Sequence, residues 1–387
     1  MWTFVSPRIV FGEDALDTLS DIRGKRALVV TDPGIVACGL VAPVLERLAS
    51  AHLKVHMFSD VEANPEIPTV LLGAKVALEF APDWIVAVGG GSPLDAAKAI
   101  WVLYERPDLQ PAEISPFIDL GLRNKARLIT IPTTSGTGAD VTWAIVLSDP
   151  IEKRKVGLGN WENVPDIALV DPSMASGMPR QLTVDTGMDA LTHAIEGYIS
   201  TWHTDMTDGL CAHAAAQVFE FLPRAVTDGA DLEARTHMHH AATSAGLGFG
   251  NSMASMAHAM GHALGATLGL PHGRAVSLCL PYTLEFSARQ SPQRIAQLAQ
   301  RLGVSSANGE TAARTLAQAV RNLASAMGNP LSLGEAGISK DSFELCLDKL
   351  VADAENDTQM ITSSRSPSSG ELRKLFEAVY DGCSVGF

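Results

Sequence analysis

The stretch "DWIVAVGGGSPLDAAKAI", residues 83–100, decides the fold class. An apolar run of strand length ends in Gly89, Gly90 and Gly91, and an Ala-rich stretch of helical spacing follows. Ser92 suits a helix N-cap, Pro93 the first helical position, and Asp95 the third residue of a capping box. A helix N-terminus aimed at a glycine-only loop offers free N–H groups and the positive end of the helix dipole, which suits phosphate. The pattern is not G-x-G-x-x-G, and a tight strand-to-helix turn would read the same way.

Working outward, the flanks repeat the theme. "RALVVT" (26–31), "LKVHMF" (53–58) and "ARLITI" (126–131) read as buried strands, and "VAPVLERLAS" (41–50) and "PTVLLGAKVALEF" (68–80) as helices. Short apolar runs alternating with helices predict βαβ units and a mostly parallel sheet. After "IALVDPSMASGMP" (167–179) the texture turns Ala-rich and helical, and strand signals nearly vanish. The expected division is therefore an α/β domain over residues 1–182 and an all-α domain over 183–387.

A second loop, "PTTSGTGADVT" (132–142), follows the "ARLITI" strand with Thr133, Thr134, Ser135, Thr137 and Thr142. Hydroxyls and bare backbone beyond the carboxyl end of a parallel strand suit a ribose or pyrophosphate, although a polar surface loop has the same composition. Asp32 closes the first strand, where a carboxylate can accept from a ribose 2′-OH and repel a 2′-phosphate. "TDPG" (31–34) is equally a good turn.

Composition excludes several classes. The 387 residues carry a net charge of −14, which argues against nucleic acid and an anionic membrane surface as partners. No apolar run is long enough to span a bilayer, and "MWTFVSPRIV" lacks the pattern of a signal peptide. Five scattered cysteines form no C-x-x-C, so a reduced, cytoplasmic protein is expected, without a disulfide framework.

Two helical stretches carry metal chemistry. "DTGMDALTHAIEGYIS" (185–200) places Asp189 and His193 four apart, on one helix face, and "AHAMGHALGATLGLPHG" (257–273) repeats the spacing with His258 and His262. His272 lies just beyond Pro271. One carboxylate with two or three imidazoles suits Fe²⁺ or Zn²⁺ better than Mg²⁺ or Ca²⁺. Geometry alone leaves open whether His262 is a ligand. "HMHH" (237–240) spreads around its helix and reads as solvated or supporting.

Together, "GGGSPLDAAKAI", "PTTSGTGADVT", "GMDALTHAIEGY" and "HAMGHALGATLGLPHG" resemble the iron-dependent, group III alcohol dehydrogenases along nearly the whole chain. The resemblance implies a dehydroquinate synthase-like fold, a Rossmann-like NAD-binding domain, a helical domain and a cleft between them. It implies iron, or sometimes zinc, on Asp189, His193, His258 and His272, with His262 facing the pocket as a proton relay. It implies cofactor contacts from Asp32, Asn64 and Lys155, besides the two loops, and substrate-side positions at Trp143, Phe249 and Asn251. It also implies at least a dimer. The family's Asn-Pro-Arg-like segment here reads "SSRSPSS" (363–369), a departure that bears on substrate rather than on chemistry.

The expected reaction is reversible hydride transfer between a primary alcohol, or a hydroxy acid, and NAD⁺, giving an aldehyde and NADH. Two rivals are a dehydroquinate-synthase-type lyase and a non-catalytic nucleotide or metal sensor. The lyase would need several Lys and Arg around the metal, where this chain has Ala, Gly, Met and Phe.

Overall fold

A computed structural model describes residues 3–150 and 154–387. The chain divides into two compact units, Met1–Met178 and Pro179–Phe387. The division falls four residues before the sequence boundary at 182, because a helix that starts at Arg180 already contains Leu182.

Unit one is built on a six-stranded sheet of β1 (Arg8–Phe11), β2 (Arg26–Val30), β3 (Lys54–Phe58), β4 (Trp84–Gly89), β5 (Arg127–Pro132) and β8 (Ile167–Val170). Its order is β1-β8-β5-β4-β2-β3, and every pairing is parallel. Four helices accompany it: α1 (Pro33–Ala37), α2 (Ala42–Ser50), α3 (Ile67–Phe80) and α4 (Gly91–Glu105). Its inner strands β2, β4, β5 and β8 are buried on both faces, as parallel strands usually are, while the edge strands β1 and β3 are partly exposed. Leu28, Val30, Ile85, Ala87 and Leu128 pack with α3 and α4, while the alternating Ala27, Val29, Trp84, Val86 and Ile129 pack with α2. A separate antiparallel pair, β6 (Ala144–Asp149) and β7 (Arg154–Gly159), follows the hydroxyl loop. The sequence reading anticipated neither this pair nor β1.

Unit two is helical among its described residues. It comprises α5 (Arg180–Ile199), α6 (Asp205–Thr227), α7 (Leu232–Ser252), α8 (Met256–Leu268), α9 (His272–Ser287), α10 (Pro292–Arg301), α11 (Gly309–Ala326), α12 (Lys340–Glu355) and α13 (Ser369–Asp381). Small residues set how closely these helices approach. A Cβ on Gly273 would lie 2.2 Å from the Asp185 carbonyl oxygen, so the start of α9 can cross α5 only without a side chain there. A Cβ on Gly261 would lie 2.5 Å from Val276, which fixes α8 against α9 in the same way.

Among the described residues, no helix is long and apolar enough to cross a membrane. The five cysteines are all unbridged, with Cys211 and Cys279 buried.

Candidate functional site

In unit one the glycine loop and the hydroxyl loop leave neighbouring strands at the same end, since Gly89 pairs with Pro132. Gly89 has φ +154°, and a Cβ there would meet the Pro93 ring at 2.5 Å, so no other residue fits. Across the gap, Cβ atoms on Gly90 and Gly91 would touch Thr134 at 3.3 Å and Thr137 at 3.0 Å. The two loops therefore form one surface.

The capping expected of Ser92 and Asp95 is corrected by the structure. Three glycines let α4 begin at Gly91 with Gly90 as N-cap, and no side chain caps it. Ser92 Oγ instead donates to the Ala63 carbonyl at 2.6 Å, tying the glycine loop to the segment that carries the exposed Asn64. Asp95 accepts from the Val146 amide at 2.9 Å and pairs with Lys98 at 3.5 Å. The first-turn N–H groups of α4 are thereby left without a side-chain cap, which is what an incoming phosphate needs.

Lys98 was not singled out from sequence, because a lysine on a helix is usually solvated. Here it is fully buried and donates to the Ala144 carbonyl at 2.9 Å and the Thr142 hydroxyl at 3.3 Å. It straps α4 to the end of the hydroxyl loop. Burial pushes the Asp95 carboxyl up and the Lys98 ammonium down.

The Thr133 and Thr134 hydroxyls are buried and make no hydrogen bond among the described residues. Orphaned hydroxyls beside an uncapped helix end fit the ribose and pyrophosphate of a dinucleotide. Thr137 Oγ1 accepts from the Ala139 amide at 3.3 Å. Asp32 caps α1 through Ile35 N at 2.9 Å, so it serves its turn whatever else it does. Lys155 is half-buried on β7. Trp143 is buried against Trp161, with ring centroids 4.6 Å apart, over the bare face of Gly159.

In unit two, single donor atoms of Asp189, His193, His258 and His272 all lie within 4.8 Å of one another. Asp189 Oδ1 is 3.8 Å from His193 Nδ1, 3.8 Å from His258 Nε2 and 3.6 Å from His272 Nε2. Ligands about 2.1 Å from a common ion at tetrahedral angles lie about 3.4 Å apart, so the three distances to Asp189 are near that value and the wider pairs of the set would have to draw in around an ion. Asp189, His193 and His258 are 1%, 4% and 3% exposed, and His258 Nε2 makes no hydrogen bond among the described residues. Borderline imidazoles with one carboxylate are the donor set of Fe²⁺ or Zn²⁺. Three helices bring them together: α5, α8 and the first residue of α9. Gly269, at φ +70°, ends α8 and lets the chain turn into His272.

His262 stands apart from this set. Its ring is stacked near His272, with centroids 5.3 Å apart, and its Nδ1 meets Asp357 Oδ2 at 2.7 Å. Burial pushes the Asp357 carboxyl up, but His262 and the Gln359 amide outweigh it and hold it below the usual carboxylate range. An ionised Asp357 accepts from Nδ1–H, which leaves Nε2 as the proton acceptor. Sequence reasoning missed Asp357, which lies 95 residues from His262.

Glu196 was missed as well. It sits at the end of α5, 1% exposed, and takes His258 Nδ1 at 2.6 Å. Burial pushes the His258 pKa down, but this carboxylate and Asp189 more than compensate and raise it.

Phe249 stacks on His193, with centroids 4.0 Å apart and planes 10° apart, so an apolar ring walls one ligand. Asn251 folds back onto Leu247 O at 2.9 Å. In "HMHH", the solvated reading fails for His239, which is 1% exposed. His237 stacks on Phe221 and bonds Gln217 Oε1 at 2.7 Å. In the C-terminal segment, Ser363 meets Ser255 Oγ at 3.2 Å beside the start of α8, while Arg365 is spent on Glu371 and the Phe286 and Phe387 carbonyls.

Comparison with known proteins gives consistent matches. Residues 6–172 match the iron-containing alcohol dehydrogenase family, and 183–380 match the C-terminal region of the Fe-containing alcohol dehydrogenases. The chain is 38% identical to an NADPH-dependent butanol dehydrogenase of Clostridium saccharobutylicum over 390 residues, covering 100% of both. It superposes on 1,3-propanediol oxidoreductase with a TM-score of 0.91 at 31% identity, covering 98% of this chain and 100% of the other. An iron-containing alcohol dehydrogenase from Thermococcus thioreducens gives 0.90 at 30% identity, covering 99% and 100%. The fold is the dehydroquinate synthase-like one.

Proposed function

The chain belongs to the iron-containing alcohol dehydrogenases, an oxidoreductase family using iron and a nicotinamide cofactor, and from that premise we propose NAD-linked oxidation of a short primary alcohol to its aldehyde. The observation that carries the reading is the convergence of Asp189, His193, His258 and His272 within 4.8 Å, with a fifth polar side chain, His262, held just outside them.

Those four residues would hold the iron, which when bound supplies Lewis acidity that makes an alcohol O–H easier to ionise. Phe249, stacked on His193, gives the alcohol an apolar wall and helps to exclude water. His262 takes the hydroxyl proton at Nε2, because Asp357 fixes the ring with Nδ1–H pointing away. A bound nicotinamide would supply the hydride acceptor, so that one proton and one hydride leave the alcohol.

The glycine loop and the first turn of α4 take the pyrophosphate, and Thr133 and Thr134 supply hydroxyls to it or to a ribose. Asn64, tied to Ser92 through Ala63, and Lys155 complete the cofactor contacts. Asp32 carries the preference for NAD over NADP, since its carboxylate repels a 2′-phosphate. The butanol dehydrogenase relative is NADPH-dependent, which makes Asp32 the residue to test.

The relatives' substrates, butanol and 1,3-propanediol, support a small primary alcohol. An NADH-absorbance screen over short alcohols and aldehydes, with metal analysis of the same sample, tests the proposal. Turnover of a primary alcohol by metal-loaded protein and none after chelation is expected. Full turnover after metal removal contradicts it.

A further inference from the structure

Four donors converge on the Glu196 carboxylate. The His258 Nδ1 lies 2.6 Å from Oε2, the Ala257 amide 2.6 Å from Oε1, and the Ser255 and His258 amides 3.1 and 3.3 Å from Oε2. The three amides belong to the first turn of α8. Ser255, the N-cap of that helix, makes no capping bond of its own, and its hydroxyl goes to Ser363. A carboxylate from α5 therefore does the capping that the local sequence leaves undone.

We propose that Glu196 is the positioning residue of the metal centre: it fixes His258 in the Nδ1–H tautomer, so that Nε2 presents its lone pair to the metal. A carboxylate can only accept, so the imidazole nitrogen facing it must carry the proton. The backbone amides of Ser255, Ala257 and His258 hold the Glu196 carboxylate in place, and the carboxylate in turn orients the ring. Three consequences meet in one side chain: the start of α8 is anchored to α5, the ring plane is set, and a second negative charge joins Asp189 beside a divalent ion. Ligand-orienting carboxylates of this kind typically change metal affinity by about 10- to 100-fold when removed.

Glu196→Gln keeps the size and one capping acceptor but can also donate. Its amide NH₂ can pair with a bare Nδ1, which would put the proton on Nε2 and turn His258 away from metal binding. The test is zinc titration of the metal-free full-length chain against a chromophoric chelator, in wild type, Glu196→Gln, His258→Ala and the double variant. The inference rests on the ligand set proposed above, and wild type that binds no zinc overturns that set and this proposal together. The expected result is a loss of about 10- to 100-fold in zinc affinity for Glu196→Gln, and less than twofold further loss when it is added to His258→Ala. Equal affinity of Glu196→Gln and wild type overturns the proposal. So does an effect of full size in the His258→Ala background, because capping or charge alone would then explain it. Nitrogen-15 histidine spectra of zinc-loaded wild type need no variant of Glu196: a metal-bound ring protonated at Nδ1 and dependent on His258 is expected, and its absence contradicts the assignment.

Discussion

The two units prepare for their ligands by opposite means. In unit one the prepared groups are mostly backbone: an uncapped helix end, three glycines and two orphaned hydroxyls at the ends of β4 and β5. In unit two they are side chains on rigid helices, packed close because Gly273 and Gly261 leave room. A phosphate is bound by many weak, spread donors, whereas a metal ion needs a few groups placed to within tenths of an ångström. The first kind of site tolerates changes in side-chain identity but not added bulk. The second tolerates neither.

This contrast can be broken at a single glycine. Gly273→Ala puts a Cβ 2.2 Å from the Asp185 carbonyl, so α9 must move off α5 and carry His272 away. Metal content should fall to near zero while NADH fluorescence titration of the folded chain still shows binding. Retention of stoichiometric metal would mean that the ligand set tolerates displacement.

Next in size is Lys98→Met, which removes a fully buried ammonium and strands its partner, the half-buried Asp95 carboxylate. Removing one partner of a buried pair costs about 3–5 kcal/mol. Denaturant unfolding should show that loss, and Asp95→Asn in the same chain should recover most of it, since Asn still accepts from Val146 N. A single variant as stable as wild type would show that the strap is dispensable.

Gly90→Val presses against Thr134 and fills the space a pyrophosphate would take. NADH affinity should drop by about tenfold or more with metal content unchanged, as expected where bare backbone must approach the ligand closely. If NADH binds as tightly as before, the loop is a turn and nothing else. The smallest effect is expected of Asp32→Gly, which removes repulsion of a 2′-phosphate and should narrow the NAD preference by about tenfold. The ratio of kcat/KM for NADH and NADPH reads it directly, and a wild type that favours NADPH contradicts the assignment.

The contrast also explains what the sequence could convey. Asp189, His193, His258 and His262 stood out as candidates because side-chain identity at helical spacing is a local signal, while the choice of His258 and His272 over His262 as ligands came from the family resemblance and not from spacing. The parallel sheet was legible in its apolar runs. The β6–β7 pair was overlooked: β6 carries only the short apolar run of residues 144–147, and its partner β7 mixes charged, small and apolar residues. The capping box at Ser92 was misread because three glycines permit an earlier helix start, and propensity does not choose between two starts. Glu196, Asp357 and Lys98 were invisible for a shared reason. Each reaches a partner distant in sequence, 62, 95 and 46 residues away, and its burial, which follows from the fold, is what distinguishes it from a solvated charge.

The central claim is that the histidines of residues 257–273 divide their labour: His258 and His272 hold metal, while His262 moves the proton. Metal analysis of purified His258→Ala and His262→Ala, with kcat on the same samples, tests it most directly. His258→Ala should lose metal and activity together. His262→Ala should keep near-stoichiometric metal and lose turnover on the order of 100-fold, the usual scale for a general acid–base group. A metal-free His262→Ala beside a metal-loaded His258→Ala would contradict the account and exchange the two roles.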